Sequence, residues 1–405
     1  MNFSEPFLHW QVDYRPAAFL LAFSGGRDSV AMLDWLSRMD LAAPLSLCHV
    51  HHGWRAEADD WADWCVAKAA DYGVACAVVR VEAHGARGES VEAVARAARY
   101  QALAARLPPR GVLLTAHHQD DQAETFLLAA LRGSGVQGLA AMPGRKAFAR
   151  GEHWRPWLAV PRAAIDAYVA ERNLDFLDDP SNAEMRFRRN ALRHQVLPLL
   201  DARALALSAQ RAGEDLAVQQ WLLDRLLPEA LENPLPWRAF VAEPPALQAA
   251  VVRRFLQRAG LPMPPGERLA EWLRQVRMGG GEPLLAYGEW RLVFYRDEVF
   301  LYREVAVGDA PAFAPLTLWA GVGELRVSGV DEGEWALARG GMRFNGKTLK
   351  DAFQKAGIPR FERARTPVLL VAGEAVWAGG LGCARGVAGL VVEWQKKPWS
   401  VSIRR

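Results

Sequence analysis

The string Ser24-Gly25-Gly26-Arg27-Asp28-Ser29 has the composition of a phosphate-binding turn. Gly25 and Gly26 allow backbone N–H groups to approach an anion closely, Ser24 and Ser29 add hydroxyl donors, and a helix starting here presents partial positive charge. One helix-end interaction is worth only about 0.3–1 kcal/mol, so several donors must converge on the same phosphate. The same residues can also form a plain tight turn followed by a helix cap. Context separates the two readings: an apolar run, Phe19–Phe23, precedes the string, and an amphipathic stretch follows it.

A second polar group, Thr115-Ala-His117-His118-Gln-Asp120-Asp121-Gln-Ala-Glu124-Thr125, comes at the end of another apolar run. Asp121 and Glu124 are three residues apart, a spacing that puts both carboxylates on one face of a helix, where they could hold magnesium or an ammonium group. Magnesium takes oxygen ligands and shares them with nucleotide phosphates, which makes Asp28 and Asp121 its expected protein ligands. His49, His51, His52, His117 and His118 raise zinc as an alternative, but imidazoles suit magnesium–nucleotide chemistry less well. His51 and His52 read either as walls of a nucleotide pocket or as packed histidines.

Short β-rich runs alternate with amphipathic stretches through the first 140 or so residues, which predicts a doubly wound α/β domain with a parallel sheet. The expected strands are Phe19–Phe23, Leu45–Val50, Val74–Val81 and Val112–Ala116. Helices are expected over Ser29–Met39, Ala58–Tyr72 and Ser90–Leu107, where apolar residues recur at three- and four-residue spacing. At a switch point of such a sheet, ligands sit outside the carboxyl ends of the strands, so both polar groups should face one edge.

From Asp201 to about Gln275 strand signals vanish, and Ala202–Leu227 and Leu247–Ala259 read as helices. Trp290–Tyr295 and Glu298–Tyr302 form a hairpin pattern around Arg296–Asp297. After the Pro-containing linker at 310–315 the chain is β-rich, with one helix at Leu349–Ala356 and strands near Val368–Val371 and Ala375–Ala378. The expected division is 1–200 for the catalytic α/β domain, 201–308 for a mainly helical domain, and 309–405 for a small β-rich α+β domain.

A chain of 405 residues is long enough for two or three cores. No apolar run approaches the roughly 20 residues that span a bilayer, and Met1–Tyr14 lacks the charged and apolar regions of a secretory signal, so a cytoplasmic location is expected. Cys48, Cys65, Cys76 and Cys383 are scattered with no Cys-x-x-Cys pair, which fits neither a disulfide framework nor a cysteine-ligated cluster. The net charge of +3 is too small to identify a nucleic-acid binder by itself. Local clusters are more telling: Arg186, Arg188, Arg189 and Arg193, then Lys347, Lys350, Lys355, Arg360, Arg363 and Arg365.

Gly341-Met-Arg-Phe-Asn-Gly346-Lys347-Thr348 satisfies the G-x-x-x-x-G-K-[ST] pattern of a Walker loop. Its bulky Met342 and Phe344, and the poor strand pattern of Glu334–Arg339, argue for coincidence.

The Ser24–Ser29 string resembles the pyrophosphate loop of the N-type ATP pyrophosphatases. Further landmarks are His49-Val-His-His-Gly53, Ala116–Gly135, Gly138-Leu-Ala-Ala-Met142, Arg155-Pro156, Asp179-Pro-Ser-Asn182 and Arg189-Asn-Ala-Leu-Arg193. Together with the stretch from Arg339 to Pro359, they make nearly the whole chain similar to the tRNA(Ile)-lysidine synthetases.

That resemblance implies a ligase that adenylates the wobble cytidine of tRNA(Ile) with a CAU anticodon and then lets free L-lysine displace AMP, giving lysidine. ATP and Mg2+ are the implied cosubstrate and cofactor. By the same resemblance Ser24, Gly25, Gly26, Arg27, Asp28 and Ser29 would bind ATP, Asp121 and Glu124 would orient magnesium or lysine, and Arg189 would support the adenylated cytidine. Arg193, Lys347, Lys350 and Arg363 would contact tRNA. Dimerisation through the helical domain is left open. Two competing readings are a tRNA sulfurtransferase built on the same loop, against which the scattered cysteines count, and a non-catalytic RNA-binding protein.

Overall fold

The computed structural model describes residues 5–53, 57–81, 91–178, 188–227, 233–395 and 397; Asp179–Asn182 and Arg186 lie outside them. The chain divides into two compact units, residues 1–219 and 220–405.

The first unit opens with α1 (Glu5–Tyr14), a helix outside the expected pattern; β1 (Ala18–Ala22), α2 (Arg27–Ser37), β2 (Leu45–His51), α3 (Ala58–Asp71), β3 (Cys76–Arg80), α4 (Val91–Arg106) and β4 (Gly111–Leu114) then alternate as the hydrophobic pattern predicts. They are followed by α5 (Gln119–Leu131), α6 (Val136–Leu139), the hairpin β5 (Arg145–Phe148) and β6 (Gly151–Trp154), α7 (Arg162–Glu171) and the single turn α8 (Arg188–Ala191). The sheet order is β3-β2-β1-β4-β6-β5. All neighbours are parallel except β5, which runs antiparallel to β6.

Side chains alternate across β1, and this builds a core on each face of the sheet. Phe19, Leu21 and Phe23 pack with Val30, Leu33, Trp35, Trp154 and Ile165 on one face, whereas Leu20 joins Cys48, Leu103, Leu107 and Leu113 on the other. Since β2 and β4 flank β1 on opposite sides, the strand order reverses at β1, and the crevice beyond the carboxyl ends of β1 and β4 is the ligand position of a doubly wound sheet.

The α9 helix (Ala202–Leu226) continues from the first unit into the second. There, β7 (Leu235–Pro236), α10 (Pro245–Arg258), α11 (Gly266–Met278), β8 (Leu284–Tyr287), β9 (Trp290–Tyr295) and β10 (Glu298–Arg303) enclose one core. The two residues of β7 pair with β10 inside a stretch whose pattern is otherwise helical; their register is held by the hairpin rather than by local alternation. Arg296 and Asp297 both have positive φ, 50° and 61°, matching the right-handed twist of the β9–β10 hairpin.

The remainder comprises β11 (Leu316–Trp319), β12 (Gly323–Ser328), β13 (Glu334–Leu337), β14 (Arg343–Phe344), β15 (Lys347–Thr348), α12 (Leu349–Lys355), α13 (Arg360–Arg363), β16 (Pro367–Val371), β17 (Glu374–Ala378), β18 (Gly382–Cys383) and β19 (Val391–Gln395). The Walker-like string is a tight hairpin: β14 pairs with β15 across Asn345 and Gly346, both at positive φ, and Thr348 caps α12. It is not a strand-to-helix phosphate loop. Among the described residues no helix is long and apolar enough to cross a membrane.

Candidate active site

The loop between β1 and α2 is locked into shape by its neighbours. Gly25 has φ +78°, and a β-carbon there would stand 2.7 Å from Leu177 Cδ1 and 2.9 Å from Cys65 Sγ. Leu177 N–H donates to the Gly25 carbonyl at 2.9 Å, tying the loop to the segment after α7. Gly26 N–H donates to Ser24 Oγ at 3.3 Å, and Ser29 Oγ donates to the Gly26 carbonyl at 2.8 Å. Both serine hydroxyls therefore lie at the start of α2, 3.2 Å apart. Arg27 reaches Asp166 of α7 at 2.7 Å, so part of its charge is engaged within the protein.

At the end of β4, His118 caps α5. It accepts from Asp120 N–H at 3.3 Å through Nδ1, while its own N–H donates to Asp121 Oδ2 at 3.0 Å. His118 Nε2 lies 3.7 Å from Asp28 Oδ2 and 3.6 Å from Asp121 Oδ2. One buried imidazole thus stands between the glycine loop and the carboxylates of α5, which the sequence separates by more than ninety residues.

Asp121 and Glu124 do share one face of α5, and that face is covered by arginines. Arg189 donates from Nε to Glu124 Oε2 at 2.6 Å and from Nη2 to Asp121 Oδ1 at 3.1 Å. Arg193 repeats the pattern, 2.5 Å to Glu124 Oε1 and 3.1 Å to Asp121 Oδ1. Arg189 sits in α8, and Arg193 in the five-residue π-helical turn that continues from it. Burial opposes ionisation of Asp121, but His118, Arg189, His117 and Arg193 outweigh it and hold the carboxyl well below the usual range.

A cleft of about 240 Å³ opens between the two strand ends, lined among others by Ser24, Asp28, His49, Arg99, His117 and Asp121. His49 and His117 belong to this lining; His51 and His52 do not. His51 Nε2 lies 3.3 Å from Asp59, and His52 Nε2 takes a hydrogen bond from Arg99 Nε at 3.4 Å. Burial, helped by Arg99, pushes the His52 pKa down to about 4. Arg96, Arg99 and Tyr100 contribute one face of α4 to the cleft. Their spacing of three and four was readable in the sequence, but nothing local said which ligand-bearing edge that face would meet.

Among the described residues no group of three or more His, Cys, Asp or Glu side chains is arranged to hold a metal ion. Magnesium on a nucleotide needs only one or two carboxylates besides phosphates and water. The Asp28 side chain, one-third exposed on the cleft wall, fits that requirement. Asp121 would first have to give up an arginine, because Oδ1 already accepts from both and Oδ2 from the His118 N–H.

In the second unit Lys347 and Lys350 are exposed, while Arg363 is half-buried and donates to Ile358 O at 2.7 Å and to Tyr295 Oη at 3.3 Å. A groove of about 630 Å³ is lined by Arg296, Arg339, Lys350, Arg360 and Arg363 around Phe353.

Comparison with known proteins matches residues 2–200 to a PP-loop domain, residues 235–300 to the TilS substrate binding domain and residues 337–398 to the TilS substrate C-terminal domain. Similar chains include the tRNA(Ile)-lysidine synthase of Alkalilimnicola ehrlichii, 37% identical with 91% of each chain aligned. The enzyme of the same name from Azoarcus sp. is 39% identical over 92% of this chain and 90% of its own. That of Methylococcus capsulatus is 36% identical over 90% and 91%.

Proposed function

The chain belongs to the tRNA(Ile)-lysidine synthase family of PP-loop ligases, and from that membership we propose that it joins free L-lysine to carbon 2 of the wobble cytidine of tRNA(Ile) with a CAU anticodon. The observation that carries the reading is the position of the buried His118 ring, within 3.7 Å of Asp28 of the glycine loop and 3.6 Å of Asp121 of the carboxylate pair. It supports the reading because Ser24, Asp28 and Asp121 line the same cleft, as a phosphate turn and a cation-binding carboxylate of one site would.

Two steps follow. Oxygen 2 of the cytidine attacks the α-phosphorus of ATP; a P–O bond forms, and the bond to pyrophosphate breaks with its electron pair leaving on pyrophosphate. The lysine amine then attacks carbon 2, and AMP departs with the C–O electron pair. Direct displacement of a carbonyl oxygen by an amine has no comparable leaving group.

Ser24, Ser29 and the backbone N–H groups at the start of α2 would hold the phosphates. When bound, magnesium would neutralise phosphate charge, with Asp28 as its best-placed protein ligand. Free lysine carries an ammonium group with a pKa of about 10.4, so it must shed a proton before attack. Asp121 and Glu124 are the carboxylates available to bind the cation and receive that proton, once the substrate has displaced an arginine. The displaced Arg189 guanidinium would then turn to the phosphate of the adenylate. We further propose the division 1–200, 201–308 and 309–405, with the last two parts holding tRNA; the basic groove around Phe353 supports that role.

A sulfurtransferase would need a reactive thiol. Burial pushes the Cys48 thiol up to about 11 and the Cys65 thiol up to about 12, and it raises Cys76 as well, so these are poor nucleophiles.

The deciding experiment supplies labelled lysine, ATP and magnesium with total tRNA, followed by nucleoside analysis. Label in a modified cytidine is expected. Pyrophosphate release that depends on tRNA but leaves no lysine in the product would overturn the choice of nucleophile.

A further inference from the structure

Behind the cleft runs a chain of polar contacts with a fixed direction. Arg155, 3% exposed, donates from Nη1 to the Pro143 carbonyl at 2.8 Å, and its Nη2 stands 3.1 Å from His153 Nδ1. His153 Nε2 lies 2.8 Å from Thr115 Oγ1, which in turn lies 2.7 Å from His117 Nδ1. His153 has no exposed surface and Thr115 only 7%. Thr115 and His117 line the cleft that holds the glycine loop.

We propose that Arg155, His153 and Thr115 form a relay that fixes the ring proton of His117 on Nε2, so that His117 offers the cleft a hydrogen-bond donor for a phosphoryl oxygen of the nucleotide. Each link has only one consistent polarity. A guanidinium donates and cannot accept, so His153 Nδ1 is the acceptor and its proton resides on Nε2. That N–H donates to Thr115 Oγ1. The hydroxyl has a single proton, and among the described residues the remaining acceptor beside it is His117 Nδ1. A threonine accepting from both imidazoles would leave its own buried proton without a partner, at a cost of roughly 1–3 kcal/mol.

Both rings are held neutral. Burial, reinforced by Arg155, pushes the His153 pKa down to about 2. Burial also pushes His117 down to about 3; Arg155, Arg189 and Arg96 add to the effect and override the pull of Asp121. A neutral imidazole whose Nδ1 accepts is protonated on Nε2, and in that form it can donate to phosphate without first losing the proton to water.

In this scheme His117 touches the nucleotide, while Thr115, His153 and Arg155 act through it as positioning residues. The inference rests on the reading of the cleft as an ATP site only for the identity of the acceptor; the tautomer stands apart from that reading.

The test uses the full chain with 15N-labelled histidine rings, His117 being assigned by the signal lost in His117→Gln. Couplings from the ring nitrogens to the carbon-bound protons report which nitrogen carries hydrogen. The wild-type ring is expected to be protonated on Nε2, the Thr115→Val ring to populate both tautomers, and the Thr115→Ser ring to return to Nε2. In parallel, kcat for tRNA-dependent ATP–pyrophosphate exchange should fall about 10- to 100-fold in Thr115→Val, with a smaller change in KM for ATP, and recover in Thr115→Ser. A wild-type ring protonated on Nδ1, or an unchanged tautomer in Thr115→Val, would overturn the relay. A relay confirmed by the couplings, with exchange in Thr115→Val equal to wild type, would overturn the donor role. If the wild type showed no exchange at all, the ATP reading of the cleft would fail and the donor role with it, while the couplings would still decide the tautomer.

Discussion

Arg193 Nε stands 2.5 Å from Oε1 of Glu124, a carboxylate with no exposed surface. With Arg189 and Asp121 it forms a closed set of two cations and two anions, in which each guanidinium spans both acids. Removing one anion leaves two arginines facing a single carboxylate. Because the arginine side chains retain 25% exposure and can turn toward water, Glu124→Gln should cost about 2 kcal/mol rather than the roughly 3–5 of a sealed pair. Adding Arg193→Met should return part of that loss. Urea unfolding of the two single variants and the double variant measures the coupling, and strictly additive effects would show that the cluster does not act as a unit. Lysine incorporation should fall at least 100-fold in Glu124→Gln, since its carboxylate is assigned to the attacking amine.

The two glycines of the loop should respond differently to alanine. At Gly25 both φ and the space are wrong: the new methyl would meet Leu177 and Cys65, and the expected loss is about 1–3 kcal/mol together with most ATP affinity. Gly26 has φ −73°, and its nearest side-chain neighbour, Ser24 Oγ, would be 3.4 Å from the added carbon. Gly26→Ala should keep the thermal midpoint near wild type and weaken ATP binding only through crowding of the phosphate. Equal losses of stability in the two variants would contradict this geometry.

Acid should weaken the fold well before carboxylates protonate. His52, His117 and His153 have folded pKa values lowered to about 4, 3 and 2, against roughly 6.5 in the unfolded chain. Their contribution is complete above about pH 6.5. Below it only the unfolded state takes up the proton, so each histidine removes up to about 1.4 kcal/mol per pH unit as pH falls toward its folded value. Asp121, depressed in the fold, adds its own loss only below about pH 4. Urea midpoints between about pH 7 and pH 5 should decline in the wild type, and less steeply in His153→Gln. A slope unchanged by that substitution would mean that His153 titrates alike in both states.

The glycine loop and the first four strands were legible because their signals are local: an apolar run at β1, a glycine pair at its end, and helical spacing beyond it. The arginine cage was not. Arg189 and Arg193 read as an exposed basic cluster meant for substrate, yet their partners lie 65 to 72 residues upstream, and no local period encodes that distance. The β5–β6 hairpin escaped for a related reason. Arg145–Phe148 is a polar edge strand without alternation, and β6 enters the sheet through its parallel pairing with β4. His153 and Arg155 arrive behind the cleft through that pairing, so the relay to His117 could not be read before the sheet order was known. His49 was read as one histidine among five and as part of a landmark string, without a place in the cleft, and it is the β2 strand beside β1 that brings it there.

The tRNA-facing assignments separate into clean and confounded cases. Lys347 and Lys350 are exposed, so charge reversal at either should disturb little packing. Lys347→Glu and Lys350→Glu should each weaken tRNA binding about 3- to 10-fold, lower the salt dependence by roughly one counterion, and leave ATP binding and the unfolding midpoint unchanged. Arg363 differs because its guanidinium donates to the Ile358 carbonyl and to Tyr295 Oη, joining α13 to the β9–β10 hairpin. Arg363→Glu should lower the unfolding midpoint as well as tRNA affinity, so its binding defect alone would not identify a phosphate contact. Filter binding across a salt series, paired with thermal unfolding, distinguishes the two. If Lys350→Glu bound tRNA like the wild type at every salt concentration, the groove beside Phe353 would not be a backbone-binding surface.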